Sequence, residues 1–171
     1  MRWILIDEFR YIRKGDKAQA VKCVTRSEEP LLGFPPHFPV YPSGLMIEMM
    51  AQVGGVLIGA NDDFRKEVLL AKVTSVEFYR PVKPPAELVI SAHQLDYREE
   101  AGLTECEIMC KEEKIAKAQI FFGVFDSSKK KGTGSESFPF PDMSQKNYDG
   151  SIVFSDDFLE AFAIRQRLET S

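Results

Sequence analysis

The chain has 171 residues, 44% hydrophobic and 28% charged, with a formal net charge of −4. That length suits one domain with a proper core, and the acidic balance argues against general nucleic-acid binding. Three cysteines, Cys23, Cys106 and Cys110, are odd in number and irregularly spaced, which fits a reducing cytoplasm and no disulfide or zinc framework. Met1 to Glu8 lacks the long apolar run and cleavage-like segment of an export leader, so a cytoplasmic location is expected.

In chain order, Trp3 to Asp7 reads as a short apolar strand or edge segment. Phe9 to Thr25 reads as a hairpin around the turn signal Lys14-Gly15-Asp16, although its second flank does not sort cleanly into two faces. Glu28 to Ser43 is a loop with five prolines in sixteen residues, too many for regular structure and enough to stiffen the backbone. It delivers His37 just ahead of the run Gly44 to Ala60, apolar on nearly every side.

That run is the centre of the chain. Seventeen residues with a Glu, a Gln and four glycines are a core helix rather than a membrane span, which needs about 20 mostly apolar residues. Ser43 is its expected N-cap. Glu48 and Gln52 stand four apart and share one helix face. A carboxyl group on so apolar a rod needs either hydrogen-bond partners or protonation. Met46, Met49 and Met50 suit core packing or the wall of an apolar tunnel.

From Val68 the pattern is strand-like, with breaks at Arg80 to Pro85, Glu99 to Gly102 and Glu112-Glu113, and the last strand runs from Ile115 to Phe125. Strands at short intervals predict an antiparallel meander, and with the helix an α+β fold. Residues 1–126 form the expected domain. Residues 127–171 are expected to be a flexible linker followed by a terminal helix from Ser155 to Glu169, with Phe158, Leu159, Phe162 and Ile164 on its apolar side.

Pro42, Leu45, Ile47, Glu48, Met50, Ala51 and Gln52, preceded by His37-Phe38-Pro39 and followed by Phe78, Arg80, Pro81, Val82 and Pro84, resemble motifs of the 3-hydroxyacyl-[acyl-carrier-protein] dehydratases of the FabZ/FabA type. Pro85-Ala86 stand where that family has Gly-Asp. The resemblance covers roughly residues 3 to 126. It implies a hotdog fold, a long helix surrounded by antiparallel sheet, in a homodimer or a larger assembly of dimers, with the His and the Glu of one site on different subunits. It implies elimination of water from a 3-hydroxyacyl thioester of acyl carrier protein or coenzyme A, in fatty-acid or related lipid synthesis, with no cofactor. A His near neutrality suits removal of the Cα proton, and a carboxyl group in an apolar site suits protonation of the leaving hydroxyl.

By resemblance Glu48 takes the acid position and Gln52 the polar position beside it. Backbone N–H groups at Ser43 or Gly44 would polarise the thioester carbonyl, and Arg80 and Lys83 would meet an acidic carrier protein. The base position departs from the pattern. The family has fourteen steps from His to Glu, whereas His37 to Glu48 is eleven (48 − 37). Matching His37 to the family His requires a three-residue deletion. The ungapped match aligns Gly33, Pro36, Pro39, Pro42, Leu45 and Glu48 and puts Phe34 in the base position, next to the substrate. Three outcomes are open: a dehydratase with His37 as provisional base, a thioester hydrolase with Glu48 activating water, or an inactive acyl-binding or assembly subunit. His37 as a plain solvent-facing loop residue and Glu48 as a carboxyl bonded to loop backbone are the non-functional alternatives. His93 is expected to be structural.

Overall fold

A computed structural model describes residues 4–35, 37–126, 159–160, 162–164 and 167–169. Of the segment expected to be a strand or edge segment, residues 4–7 lie outside every strand. Leu5 and Ile6 are buried, and the Asp7 N–H donates to the Val21 carbonyl at 2.9 Å. Trp3 lies outside the described residues.

The hairpin forms as expected from β1 (Glu8–Arg13) and β2 (Lys17–Val24), turning through Gly15 at φ 75°. On β2 the adjacent residues Ala20 and Val21 are both buried, which breaks the alternation of its faces, and β1 carries a register shift between Phe9 and Tyr11. The proline-rich loop holds one 3₁₀ turn, Glu29–Leu31, then buries Tyr41, whose N–H bonds the Val82 carbonyl at 2.9 Å. That bond ties the loop to the second proline-rich stretch, residues 80–85.

The central helix, α1 (Ser43–Ala60), begins one residue before the expected run. Pro42 holds the cap position and makes no side-chain cap bond, so Ser43 is the first helical residue and not the cap. By length and composition α1 could cross a membrane, yet two-thirds of it (67%) is buried within the fold. Its chain leaves through Asp63 and Phe64, both left-handed at φ 51° and 58°, with the Phe64 N–H returning to the Gly59 carbonyl at 3.0 Å.

Four long strands follow: β3 (Glu67–Phe78), β4 (Ala86–Arg98), β5 (Ala101–Cys110) and β6 (Glu113–Phe125). The meander holds for β4, β5 and β6, joined by tight turns, but not for β3. The sheet order is β3-β6-β5-β4-β2-β1, so β3 pairs with β6 and β4 pairs with β2. Pro81, Pro84 and Pro85 cannot donate to a hairpin ladder, and their stretch carries the chain past two strand positions. All pairings among these six strands are antiparallel.

The helix lies against this sheet at close quarters. A Cβ on Gly54 would stand 2.8 Å from Thr104 Oγ1 and 3.1 Å from the Phe122 ring, and one on Gly102 would stand 2.5 Å from Ile58. Glycine at those two positions lets helix and sheet approach, and the methionines Met46, Met49 and Met50 fill the same core.

The C-terminal part differs from the expected helix. Residues 159–160 are helical, but Leu168–Glu169 form a short strand, β7, parallel to β1 with Leu168 opposite Ile12. The open edge of β1 accounts for this: the Ile12 N–H finds the Arg167 carbonyl at 3.1 Å. Arg167 also donates to the Phe9 carbonyl and pairs with Glu8 at 2.8 Å. Leu159 and Ile164 are buried in the main core, and Phe162 meets Phe9 edge-on at 5.8 Å. The expected linker and Phe158 lie outside the described residues.

Candidate active site

The first turn of α1 leaves backbone N–H groups without intrahelical acceptors, as every helix start does. Ser43 and Gly44 are exposed there, and the directions in which Gly44 and Gly33 would carry a Cβ are open, with no atom within 4 Å. This is an accessible helix start with donors pointing outward, suited to a developing negative charge.

One turn further in stands Glu48, half-buried, and one turn beyond it Gln52, also half-buried. Gln52 Nε2 donates to Glu48 Oε1 at 3.0 Å, and the backbone N–H of Leu5 donates to Gln52 Oε1 at 3.0 Å. The partner that a carboxyl group on this helix requires is therefore Gln52, and not the loop backbone. Sequence reasoning found the Glu48 and Gln52 pair from their spacing. It missed Leu5, because a backbone N–H carries no residue-type signal.

The loop residues stand apart from this pair. Phe34, His37 and Phe38 are all exposed, and the loop is held by its own turns, Phe34 N–H to the Leu31 carbonyl at 3.1 Å and Phe38 N–H to the Pro35 carbonyl at 2.9 Å. Among the described residues the His37 side chain makes no hydrogen bond, and neither it nor Phe34 is bonded to Glu48. Lys83 sits with Nζ 4.6 Å from the centre of the Phe38 ring, so the basic stretch 80–85 borders the loop. Arg80 reaches Glu113 at 3.6 Å across an exposed surface.

Other reactive side chains are set aside by their surroundings. Cys106 is fully buried, and burial pushes its thiol up to about 12, which removes it as a nucleophile. Tyr41 is likewise pushed up to about 12, first by burial and then by Glu28 and Asp7. Its hydroxyl is buried with no hydrogen-bond partner among the described residues. His93 is exposed on β4, between Lys17 and Glu105 in register, away from the helix face that carries Glu48. Among the described residues no group of three or more His, Cys, Asp or Glu side chains is placed to hold a metal ion.

Residues 3–119 match the FabA-like domain. The chain belongs to the FabA-like family. Its curated relatives include the 3-hydroxyacyl-[acyl-carrier-protein] dehydratase FabZ of Clostridium kluyveri, 30% identical over 127 residues that cover 74% of this chain and 88% of the relative. The FabZ of Clostridium tetani is 31% identical over 120 residues, covering 70% and 84%. Among solved structures, a Streptococcus mutans protein bound to acetyl-CoA superposes with a TM-score of 0.61 at 12% identity, covering 74% of this chain and 94% of that one. The dehydratase heterocomplex ApeI:P of Xenorhabdus doucetiae superposes at 0.59 with 21% identity, covering 70% and 82%. The fold of this FabA-like chain is the hotdog fold, α+β, with one central helix on an open antiparallel sheet.

Proposed function

We propose that this chain is a 3-hydroxyacyl thioester dehydratase of fatty-acid or related lipid synthesis, acting in the cytoplasm on substrates carried by acyl carrier protein or coenzyme A. The observation that carries this reading is the Glu48–Gln52 pair, one and two turns in from an open helix start, in a chain about 30% identical to FabZ dehydratases. The thioester carbonyl accepts from the N–H groups at Ser43 and Gly44, which lowers the cost of charge developing on its oxygen. His37 takes the Cα proton. The electrons of that C–H bond form the double bond, and the C3–O bond breaks. The departing oxygen takes the proton of Glu48, so water leaves and a conjugated enoyl thioester remains. His37 then returns its proton through solvent to Glu48, which restores both groups.

The resemblance supports a homodimer, with a base and an acid from different subunits in each site. β3 supports the same reading: it is a twelve-residue strand at the sheet edge, with Leu70 and Phe78 exposed. A strand of that length would pair with a second copy. Lys83, and with it Arg80, would receive the acidic carrier at the mouth of the site.

Phe34 favours a second reading. It stands in the family base position in the ungapped match, and its exposed ring would occupy the place of an imidazole. A chain so built would bind acyl thioesters, or help assemble a partner's site, without turnover. Hydrolysis with Glu48 as the base for water is the rival enzyme. Purified protein with 3-hydroxyacyl thioesters of several lengths separates the three: enoyl product supports the dehydratase, free thiol the hydrolase, and tight binding without either the acyl-binding subunit. Loss of enoyl product in His37→Ala assigns the base, and undiminished product there removes His37 from the mechanism.

A further inference from the structure

The Leu5 backbone is not part of any strand, yet its N–H is spent on a side chain of the central helix. An N–H can only donate, so the atom of Gln52 that faces Leu5 must be the amide oxygen. The NH₂ end then faces Glu48, four residues back on the same helix face, and Glu48 Oε1 must accept. A proton on Oε1 would confront that donor. When Glu48 is protonated, the proton therefore belongs on Oε2, which accepts no hydrogen bond among the described residues. From these constraints we infer that Gln52 is a positioning residue: oriented by the Leu5 backbone, it holds Glu48 so that Oε2 carries the proton given to the leaving hydroxyl.

This inference rests on the dehydratase reading and deepens it. The N-terminal segment becomes a working part of the site through the Leu5 backbone N–H. As the proton leaves Oε2, charge spreads over both oxygens, and the bond from Gln52 strengthens because its acceptor is now ionised. Gln52 thus helps more in the transition state than in the ground state, and it need not touch the substrate to do so.

Two measurements on the full chain test it. Amide hydrogen exchange in the wild type, which needs no variant, should find Leu5 protected at least about tenfold although it lies outside every strand. That protection should vanish in Gln52→Met. Fast exchange at Leu5 in the wild type overturns the inference whatever the protein catalyses. In single-turnover dehydration, Gln52→Met should lower the rate by roughly tenfold to a hundredfold with KM changed less than about twofold. Gln52→Glu should recover turnover only at acid pH, where the introduced acid, once protonated, can accept from Leu5 and donate to Glu48 as the amide did. A raised KM with unchanged rate would make Gln52 a substrate-binding residue and overturn the positioning role. Absence of any dehydration by the wild type removes the parent reading, and a Leu5 amide that is still protected marks that failure as distinct from failure of the relay.

Discussion

The two halves of α1 are built to opposite purposes. From Val53 to Ala60 every residue is buried, and Gly54 lets the helix sit against Thr104 and Phe122 with no room for a side chain. From Ser43 to Gln52 the helix keeps exposed or half-buried positions, an open approach beside Gly44, and Glu48 and Gln52 bonded to each other. A rigid C-terminal half fixes the axis, so the N-terminal half can hold a carboxyl group in one place without surrounding it. The proposed chemistry lies where the packing stops.

Substitutions on either side of that boundary should separate function from stability. Glu48→Gln should have the largest effect, lowering dehydration by about 10²- to 10⁴-fold, the range for loss of a general acid, while urea unfolding shifts by less than about 1 kcal/mol. Gly102→Val should do the reverse. Its Cβ would stand 2.5 Å from Ile58 Cδ1 and 2.9 Å from two further Ile58 carbons, and overpacking of that kind costs about 1–3 kcal/mol in the same unfolding measurement. The rate per folded molecule should be kept.

Phe34→His placed in the His37→Ala background sharpens the functional half of the comparison. It should restore turnover by roughly tenfold or more, by returning an imidazole to the family base position, as read in a product assay. The smallest effect belongs to the outer face of the sheet. There Lys117, at 3.0 Å, holds the Glu105 carboxyl below its usual range, with help from Gln119 and His93. A depressed carboxyl stabilises the fold above its unfolded value of about 4.3, and that contribution is lost as pH falls through the lower folded value. Glu105→Gln should remove this acid-side dependence, a change below about 1 kcal/mol for a solvent-screened pair, seen by comparing unfolding at pH 7 and pH 3.

Much of this was legible in the residues. The i, i+4 spacing announced Glu48 and Gln52 as one face, and the apolar composition of Gly44 to Ala60 announced a buried helix. Alternation marked the strands but could not name their neighbours. The crossing of β3 to the far edge depends on where a proline-rich stretch can lay the chain down, which periodicity does not encode. Leu168 looked helical because its neighbours are good helix formers, whereas the free edge of β1 decided its state. The bond from Leu5 was invisible for a simpler reason: any residue but proline offers the same N–H.

Single-turnover reaction of the wild type with a 3-hydroxyacyl thioester, beside Glu48→Gln of matched thermal stability, tests the central claim most directly. Conjugated enoyl thioester from the wild type, formed about 10²- to 10⁴-fold more slowly by the variant, is the predicted result. Equal enoyl product from both would contradict a catalytic Glu48, and neither enoyl product nor free thiol from the wild type would contradict an enzyme on this helix face altogether.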